Sequence, residues 1–507
     1  MMLTVVLDKK TYKENAEIMA KAKGKAEGYE LRLDCLEEID KEKIKNLIDK
    51  ASTPIIFTLR KSSQGGNFME GEEKQKEILL GLVDLQPAFI DLEYDTSLST
   101  AQELLDRSLD TRLICSIHDF EKTPESIDEF FLQLKLFPAH IYKIATYARS
   151  INDALKMVRF VIANKRMNKN VVGICMGEKG QITRILSPII GNFINYCCLE
   201  KEAAPGQLAL EELLDVYHYD KLNEATKVFA LIGDPVDKSP SHITHNKVFE
   251  KLEINALYVK MCVKKDEVET FFSLIKGLPF AGFSVTMPLK EEVLPYLHEV
   301  SEEAKLIGAV NTIAIKDSKR LGYNTDAAGA LDPLEEKIPV AGKKVVILGG
   351  GGAAKALAYE AKNRGAAKVV LLNRTKERAE KIAANLDLSA GSLDDMKKIA
   401  EEGYDILINA TSVGMEPNTE EIPISPEYIL ASACVMDIIS RPKKTKLLQE
   451  AEKKGCKTVY GHEMFINQAV YQYDYWFDRQ LERKKVKEIL EKSVDSAAEK
   501  KMPKESP

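Results

Sequence analysis

The first half of the chain repeats one pattern: a short β-branched or aromatic run, a polar break, then a stretch with apolar residues at helical spacing. The apolar runs predict strands at Thr4–Leu7, Tyr29–Leu33, Ile55–Leu59, Ala88–Leu92, Leu113–Ile117, Ile141–Ala145, Val171–Cys175 and Phe193–Cys197. Eight strands alternating with helices over about 220 residues predict an α/β fold of the (β/α)8 TIM-barrel kind, for which ~250 residues is typical. This barrel is expected over residues 1–218. A polar linker, residues 218–226, leads to a new strand at Val228–Ile232 and a further α/β segment over 227–330. From about Glu482 the chain is rich in Lys and Glu and short of large apolar residues, so 483–507 is expected to be a charged tail, a helix fraying into disorder.

Barrels of this kind carry their chemistry at the C-terminal ends of the strands. The polar residues near those ends are Glu30, Arg32, Arg60, Glu93, His118 and Lys143, with Arg184 and Gln207 in the last two βα loops. Lys143 is the odd one, in the otherwise apolar run Ile141-Tyr142-Lys143-Ile144-Ala145. A buried ammonium is costly, so such a lysine is paired, snorkels to an edge, or is kept as a nucleophile with a depressed pKa. A neutral amine among apolar side chains and arginines attacks a ketone to form a Schiff base, and the iminium acidifies the adjacent C–H. His118 can remove that proton and later protonate a leaving hydroxyl, with Glu93 holding the imidazole in one tautomer. The arginines suit a carboxylate substrate. Taken singly, each charged residue reads equally well as a solvated surface group.

The motifs Glu30-Leu31-Arg32-Leu33-Asp34, Phe57-Thr58-Leu59-Arg60 with Gly65-Gly66, Ile90-Asp91-Leu92-Glu93, Ser116-Ile117-His118-Asp119-Phe120, Lys143-Ile144-Ala145 and Ala204-Pro205-Gly206-Gln207 resemble, in order, those of type I 3-dehydroquinate dehydratase. The resemblance covers residues 3–217. It implies Lys143 as the Schiff-base lysine, His118 as general acid and base with Glu93 as its partner, and Arg184 on the substrate carboxylate. Glu30, Arg32, Arg60 and Gln207 would contact the ring hydroxyls and a flexible loop. Ala203 departs from the family, which often has serine there, and this removes a hydroxyl from the lid loop.

Beyond the linker, the strand Lys344–Leu348 runs into Gly349-Gly350-Gly351-Gly352-Ala353-Ala354 and a helix start. Such glycines let the backbone approach a pyrophosphate, and the helix N-terminus offers free N–H groups. The next strand ends in Asn373-Arg374-Thr375, where an NAD site places an acid for the ribose hydroxyl. Arg374, with Arg378 one turn on, suits a 2′-phosphate instead. A Rossmann-like domain binding NADP(H) is therefore expected over 331–460. The preceding segment, 227–330, carries Lys238-Ser239-Pro240-Ser241, Thr286-Met287-Pro288-Leu289-Lys290, Asn311 and Asp326. Hydroxyls, amides, one lysine and one aspartate at strand ends suit a polyol bearing a carboxylate. A Lys–Asp pair can serve hydride transfer, the lysine shuttling the proton.

Together these motifs resemble shikimate dehydrogenase over about residues 227–482, with a helix at 461–482 completing the substrate domain. The resemblance implies Ser239 and Ser241 on the carboxylate, Thr286, Asn311 and Gln468 on hydroxyls, and Lys290 with Asp326 as the catalytic pair. Gly349, Gly351, Gly352, Ala353, Asn373, Arg374, Thr375, Arg378 and Gly461 would form the NADP site. Asn409 to Met415 would lie beside the nicotinamide. Two departures are His242, where proline is common, and Ser440, where tyrosine is common.

Composition narrows the picture. For 507 residues, a net charge of −6 gives no electrostatic footprint for nucleic acid. No apolar run approaches the roughly 20 residues that cross a bilayer. An acid at Asp8 comes too early for a signal peptide, so a cytoplasmic protein is expected. Eight cysteines without CxxC and seven scattered histidines without HExxH predict no metal site. The two resemblances imply one enzyme that dehydrates 3-dehydroquinate to 3-dehydroshikimate and then reduces that product to shikimate with NADPH. Its partners are expected to be small molecules; the oligomeric state is left open. A quinate dehydrogenase using NAD is disfavoured by Arg374, and shikimate is favoured by the serine pair. A ligand-sensing regulator grown from decayed domains would lack the reactive groups, yet Lys143, His118, Lys290 and Asp326 are all present.

Overall fold

The computed structural model describes residues 1–499, apart from Leu109, Lys201 and Ala203. The lid-loop departure at Ala203 therefore lies outside the described residues. The chain divides into two compact units, Met1–Val228 with Glu253–Pro279, and Phe229–Leu252 with the chain from Phe280 onward.

The first unit is built on eight strands: β1 Met2–Leu7, β2 Gly28–Arg32, β3 Ile55–Thr58, β4 Phe89–Glu93, β5 Arg112–Asp119, β6 Ile141–Tyr147, β7 Val171–Met176 and β8 Ile194–Cys197. They form one parallel sheet of order β7-β6-β5-β4-β3-β2-β1-β8. Phe193 N donates to Val171 O at 3.0 Å, so the sheet nearly closes into a barrel. Side chains alternate across a strand, so every second residue faces the interior. One interior layer is apolar: Ile56, Phe89, Ile114, Ile141, Val172 and Ile194. Two residues further along the same strands stand Thr58, Asp91, Ser116, Lys143, Ile174 and Tyr196, all buried. The barrel thus has an apolar floor and a charged storey above it. β5 and β6 run past their expected ends because the ladder continues through His118↔Ala145 and Asp119↔Thr146. Lys143 consequently lies within its strand, not at the end. In the same unit, the helix Val268–Leu274 packs on the helix Ile151–Arg166, where Arg159 donates to the carbonyls of Leu274 (3.0 Å) and Lys276 (2.8 Å).

A second sheet contains β9 Lys227–Gly233, β10 Ala256–Cys262, β11 Phe280–Val285, β12 Glu299–Val300, β13 Thr312–Lys316 and β14 Lys319–Tyr323, in the order β10-β9-β11-β13-β14-β12. A third contains β15 Lys344–Leu348, β16 Lys368–Asn373, β17 Ser389–Ser392, β18 Ile406–Asn409, β19 Cys434–Asp437 and β20 Lys457–Val459. Its order is β17-β16-β15-β18-β19-β20, all parallel, the doubly wound arrangement of dinucleotide-binding folds. Both faces are buried: Val345 and Ile347 join one apolar cluster, Val346 and Leu348 the other. That explains why the strand reads as a continuous apolar run. The helix Gly461–Trp476 packs on the helix Asp326–Glu335. They approach so closely at Gly329 that a Cβ there would sit 2.5 Å from Gln468 N.

The expected frayed tail is corrected over residues 483–499. Arg483–Glu499 is a helix packed on Ser241–Lys251 and Gly461–Trp476, with Val486, Leu490 and Ser493 buried. Spacing of four and three residues puts these on one stripe, which docks while the Lys/Glu face stays in water. Residues 500–507 lie outside the described residues. Leu490→Ala is expected to cost roughly 2–5 kcal/mol, the usual range for a buried leucine. A denaturation midpoint equal to wild type would show that the helix contributes no packing.

Candidate active sites

In the barrel, Lys143 is 6% exposed and its ammonium is paired. Nζ donates to Asp91 Oδ2 at 3.0 Å and lies 3.8 Å from Glu30 Oε1. Arg60 completes the cluster, with Nη2 2.9 Å from Asp91 and Nη1 donating to Ser116 Oγ (2.7 Å) and Glu93 Oε1 (3.2 Å). Ser116 in turn donates to Asp91 Oδ1 at 2.6 Å. Burial by itself would raise the Asp91 carboxyl. Arg60 and Lys143 outweigh it and hold that carboxyl well below the usual carboxylate range. Arg32 makes a two-pronged bond to Asp34 (2.9 and 2.8 Å), which also accepts from the backbone of Arg60 and Asn67. Glu30 accepts from Thr58 Oγ1 at 2.9 Å.

The expected Glu93–His118 contact is not made. Glu93 is occupied by Arg60, Lys61 N (3.0 Å) and Gln75 Nε2 (3.0 Å). His118 is held by Gln64 instead. Its backbone N–H donates to Gln64 Oε1 at 2.9 Å, and its Nδ1 lies 3.3 Å from that same atom. An atom accepting from a backbone N–H must be the carbonyl oxygen, so Nδ1 carries the ring proton and Nε2 is the free base. Burial, together with the positive charges of Arg60 and Lys143, holds the imidazole well below its ordinary pKa, although the residue as a whole is only half-buried. His118 is therefore neutral around pH 7.

Arg184, on the short helix Ile182–Ile185 after β7, donates from Nη1 to Cys175 O at 2.7 Å. Its Nε is buried without a hydrogen-bond partner among the described residues, and burial lowers its pKa to about 10. A buried cation with an unspent donor is a ready carboxylate site. Gln207 is buried on a loop pinned by Gly177 N to Pro205 O at 3.0 Å.

In the second unit, Lys290 is ion-paired with Asp326 Oδ2. Asn311 Nδ2 donates to Asp326 Oδ1 (2.8 Å) and to Thr325 Oγ1 (2.9 Å). Asn311 Oδ1 accepts from Thr325 N and Thr312 Oγ1, both at 2.8 Å. Gln468, brought in by the close crossing at Gly329, reaches Thr325 Oγ1 at 3.5 Å. Ser239 and Ser241 share a hydrogen bond of 2.8 Å at the start of the helix Ser241–Lys251. Thr286 is half-buried just after β11, its N–H on Ile232 O. His242 is buried in the first turn of that helix, and Ser440 is exposed.

The glycine turn fits a dinucleotide. Gly349 has φ +133°, and a Cβ there would lie 2.8 Å from Ala410 O, so the chain must be bare where β15 turns. The helix Gly352–Asn363, which includes Ala353, has no side-chain cap, leaving its first N–H groups open to an anion. A Cβ on Gly352 would meet the Lys290 side chain at 3.7 Å, so the turn opens beside the Lys–Asp pair. Asn373 Nδ2 bonds Thr375 O at 2.8 Å, and Arg374, Thr375 and Arg378 are exposed on the adjoining edge. Among the described residues neither arginine has an acidic partner, and no acid stands at the end of β16. Gly461 opens its helix 2.2 Å, at its absent Cβ, from Ile439 O. Among the described residues no cluster of metal-ligating side chains is found, and no helix is long and apolar enough to cross a membrane.

Asp91, Ser116, Gln64 and Tyr196 were not singled out from the sequence. Strand alternation could have found Asp91 and Ser116, each two residues from a chosen residue on the same face. Gln64 sits in a loop with no periodic signal.

Three family models match the chain: type I 3-dehydroquinase over residues 3–224, the shikimate dehydrogenase substrate binding domain over 231–313, and shikimate/quinate 5-dehydrogenase over 334–444. An Arabidopsis thaliana protein named bifunctional 3-dehydroquinate dehydratase/shikimate dehydrogenase, chloroplastic, is 38% identical over 472 residues, covering 88% of this chain and 76% of its own. The Chlamydia pneumoniae shikimate biosynthesis protein AroDE is 36% identical over 454 residues, covering 88% and 89%. A crystal structure of a shikimate dehydrogenase in complex with NADP+ aligns with a TM-score of 0.50 at 38% identity, over 54% of this chain and 97% of its own.

Asp91→Asn removes the carboxylate between two buried cations. It is expected to cost roughly 3 kcal/mol, at the low end for a broken buried pair because Glu93 and Glu30 still offset the charge. A denaturant midpoint equal to wild type would show that the Lys143–Asp91–Arg60 cluster does not stabilise the barrel.

Proposed function

Since this chain belongs to the bifunctional 3-dehydroquinate dehydratase/shikimate dehydrogenase family, we propose that it performs both reactions, dehydrating 3-dehydroquinate in the barrel and reducing 3-dehydroshikimate to shikimate in the second unit. The observation that carries the first step is the buried lysine beside a neutral histidine; for the second it is the Lys290–Asp326–Asn311 chain next to the glycine turn.

In the barrel, Arg184 receives the substrate carboxylate on its unspent Nε–H. Lys143 must shed a proton to attack the ketone. Asp91, held ionised by Arg60, is a poor place for it; the neutral imidazole of His118 takes it. Lys143 Nζ then adds to the carbonyl carbon, and His118 returns the proton as the former carbonyl oxygen leaves as water. The resulting iminium draws electrons from the neighbouring C–H bond, and His118 Nε2 removes that proton. The hydroxyl one carbon further on departs, protonated by the same imidazolium, and water hydrolyses the imine to free Lys143. Gln64 keeps Nδ1 protonated throughout, so Nε2 is the atom that works in each step.

In the second unit, Gly349, Gly351, Gly352, Ala353, Asn373, Arg374, Thr375, Arg378 and Gly461 would hold the cofactor. NADPH, when bound, supplies a hydride to the carbonyl carbon. Lys290 gives the carbonyl oxygen its proton, Asp326 orients Lys290, and Asn311 orients Asp326. Ser239 and Ser241 bind the carboxylate, and Thr286, Asn311 and Gln468 the hydroxyls; the serine pair favours shikimate over quinate. Arg374 and Arg378, without acidic partners among the described residues, favour NADPH over NADH. Cys115, Cys175, Cys197, Cys198 and Cys434 are buried free thiols, which supports a reducing compartment such as the cytosol.

Feeding 3-dehydroquinate and NADPH to the purified protein should yield shikimate. Lys143→Ala should leave 3-dehydroquinate unconsumed, while Lys290→Ala should accumulate 3-dehydroshikimate. Loss of both steps in either folded variant would sink the two-site scheme. Arg374→Ser should raise KM for NADPH about tenfold or more with little change for NADH, the scale expected from losing a charge-assisted bond. Equal changes for the two cofactors would remove the 2′-phosphate assignment.

A further inference from the structure

Tyr196 takes no part in the chemistry above, yet it stands inside the barrel site. It lies on β8, two residues beyond Ile194 of the apolar floor, and is 5% exposed. Its ring sits over the Lys143 ammonium, 4.2 Å from Nζ to the ring centre. Its hydroxyl is buried and has no hydrogen-bond partner among the described residues.

That last fact sets it apart. Other buried phenols are satisfied: Tyr29 donates to Met19 O (3.1 Å), Tyr404 to Tyr428 O (2.8 Å), and Tyr473 meets His245 Nδ1 (2.8 Å). A buried hydroxyl without a partner costs about 1–3 kcal/mol. Phenylalanine would cover Lys143 with the same ring face at no such cost. The two carboxylates whose charges act on the phenol bond other residues, not its hydroxyl. Glu30 accepts from Thr58, and Asp91 accepts from Lys143, Arg60 and Ser116. An oxygen brought by a ligand would satisfy Tyr196. Glu30 and Asp91, acting after burial, disfavour the phenolate, so the group is a neutral donor. The ligand that reaches it is the one bonded to Lys143, since any carbon joined to Nζ brings its substituents close to the ring.

We propose that Tyr196 is a substrate-binding residue of the dehydratase site, its hydroxyl donating a hydrogen bond to an oxygen of the polyol held on Lys143. This rests on the Schiff-base reading of the barrel. The hydroxyl would bind and orient the substrate once the amine has left Asp91 for the carbonyl carbon.

The test is Tyr196→Phe in the full chain, assayed beside wild type. kcat/KM for 3-dehydroquinate should fall about tenfold or more, the size of one buried hydrogen bond lost. Thermal stability should hold or rise, and NADPH oxidation with 3-dehydroshikimate should not change. Among substrate analogues each lacking one ring oxygen, one should react equally with both proteins, because its missing oxygen is the partner. Wild-type kcat/KM in Tyr196→Phe overturns the proposal. So does an equal loss on every analogue, which would mean that the hydroxyl only shapes the pocket. Borohydride trapping of the substrate on Lys143 is run in parallel. A wild-type protein that gains no ligand mass removes the Schiff-base reading and this proposal together; trapping with unchanged Tyr196→Phe kinetics removes this proposal alone.

Discussion

A lysine ammonium inside a barrel cannot stand alone, and the first unit is arranged around that constraint. Lys143 pairs with Asp91, Asp91 with Arg60, and Arg60 with Glu93 and Ser116. Each partner is itself buried, so none can be removed without stranding a charge in a low-dielectric interior. The apolar floor keeps water from below, and the pairing fixes the amine at one height in the barrel. Burial, aided by the same positive charges, holds the His118 imidazole below its ordinary pKa. One set of charges thus both pairs the lysine and acts on the neighbouring imidazole.

The second unit solves a related problem with less burial. Lys290 is 18% exposed in its side chain against 7% for Lys143, and it has one carboxylate partner instead of a network. The difference suits the roles proposed for them. A lysine that forms a covalent bond to substrate must be held at one point, whereas a lysine that hands over a proton needs exchange with solvent to be recharged. Asn311 stiffens the pair by bonding Asp326 and Thr325 at once, which ties the turn before the Asp326–Glu335 helix to β13. The close crossing at Gly329 then brings Gln468 to the same turn.

Much of this was legible along the chain. Short β-branched runs separated by helical periods gave the barrel strands to within a few residues, because strand alternation and helical period are local properties. The glycine turn before an alanine-rich helix and the arginines after β16 were likewise readable, since backbone approach and phosphate charge call for those residue types in that order. The charged tail misled: two large apolar residues, Val486 and Leu490, spaced four apart on a Lys/Glu-rich helix are too few to raise the mean hydropathy, yet enough to dock it.

What the sequence by itself determined was the order of elements and which side chains are chemically capable, Lys143, His118, Lys290 and Asp326 among them. Only the tertiary structure decided their partners. Glu93 was expected to hold His118, but the barrel's register turns it to Arg60, Lys61 and Gln75, and a loop residue, Gln64, supplies the acceptor. The physical reason is that a hydrogen bond is fixed by distance and direction across strands and loops far apart in the chain. Residue type at one position says only which bonds a side chain can make. Which one it makes, and whether a hydroxyl such as that of Tyr196 is left without any, is settled by what the fold brings within about 3 Å.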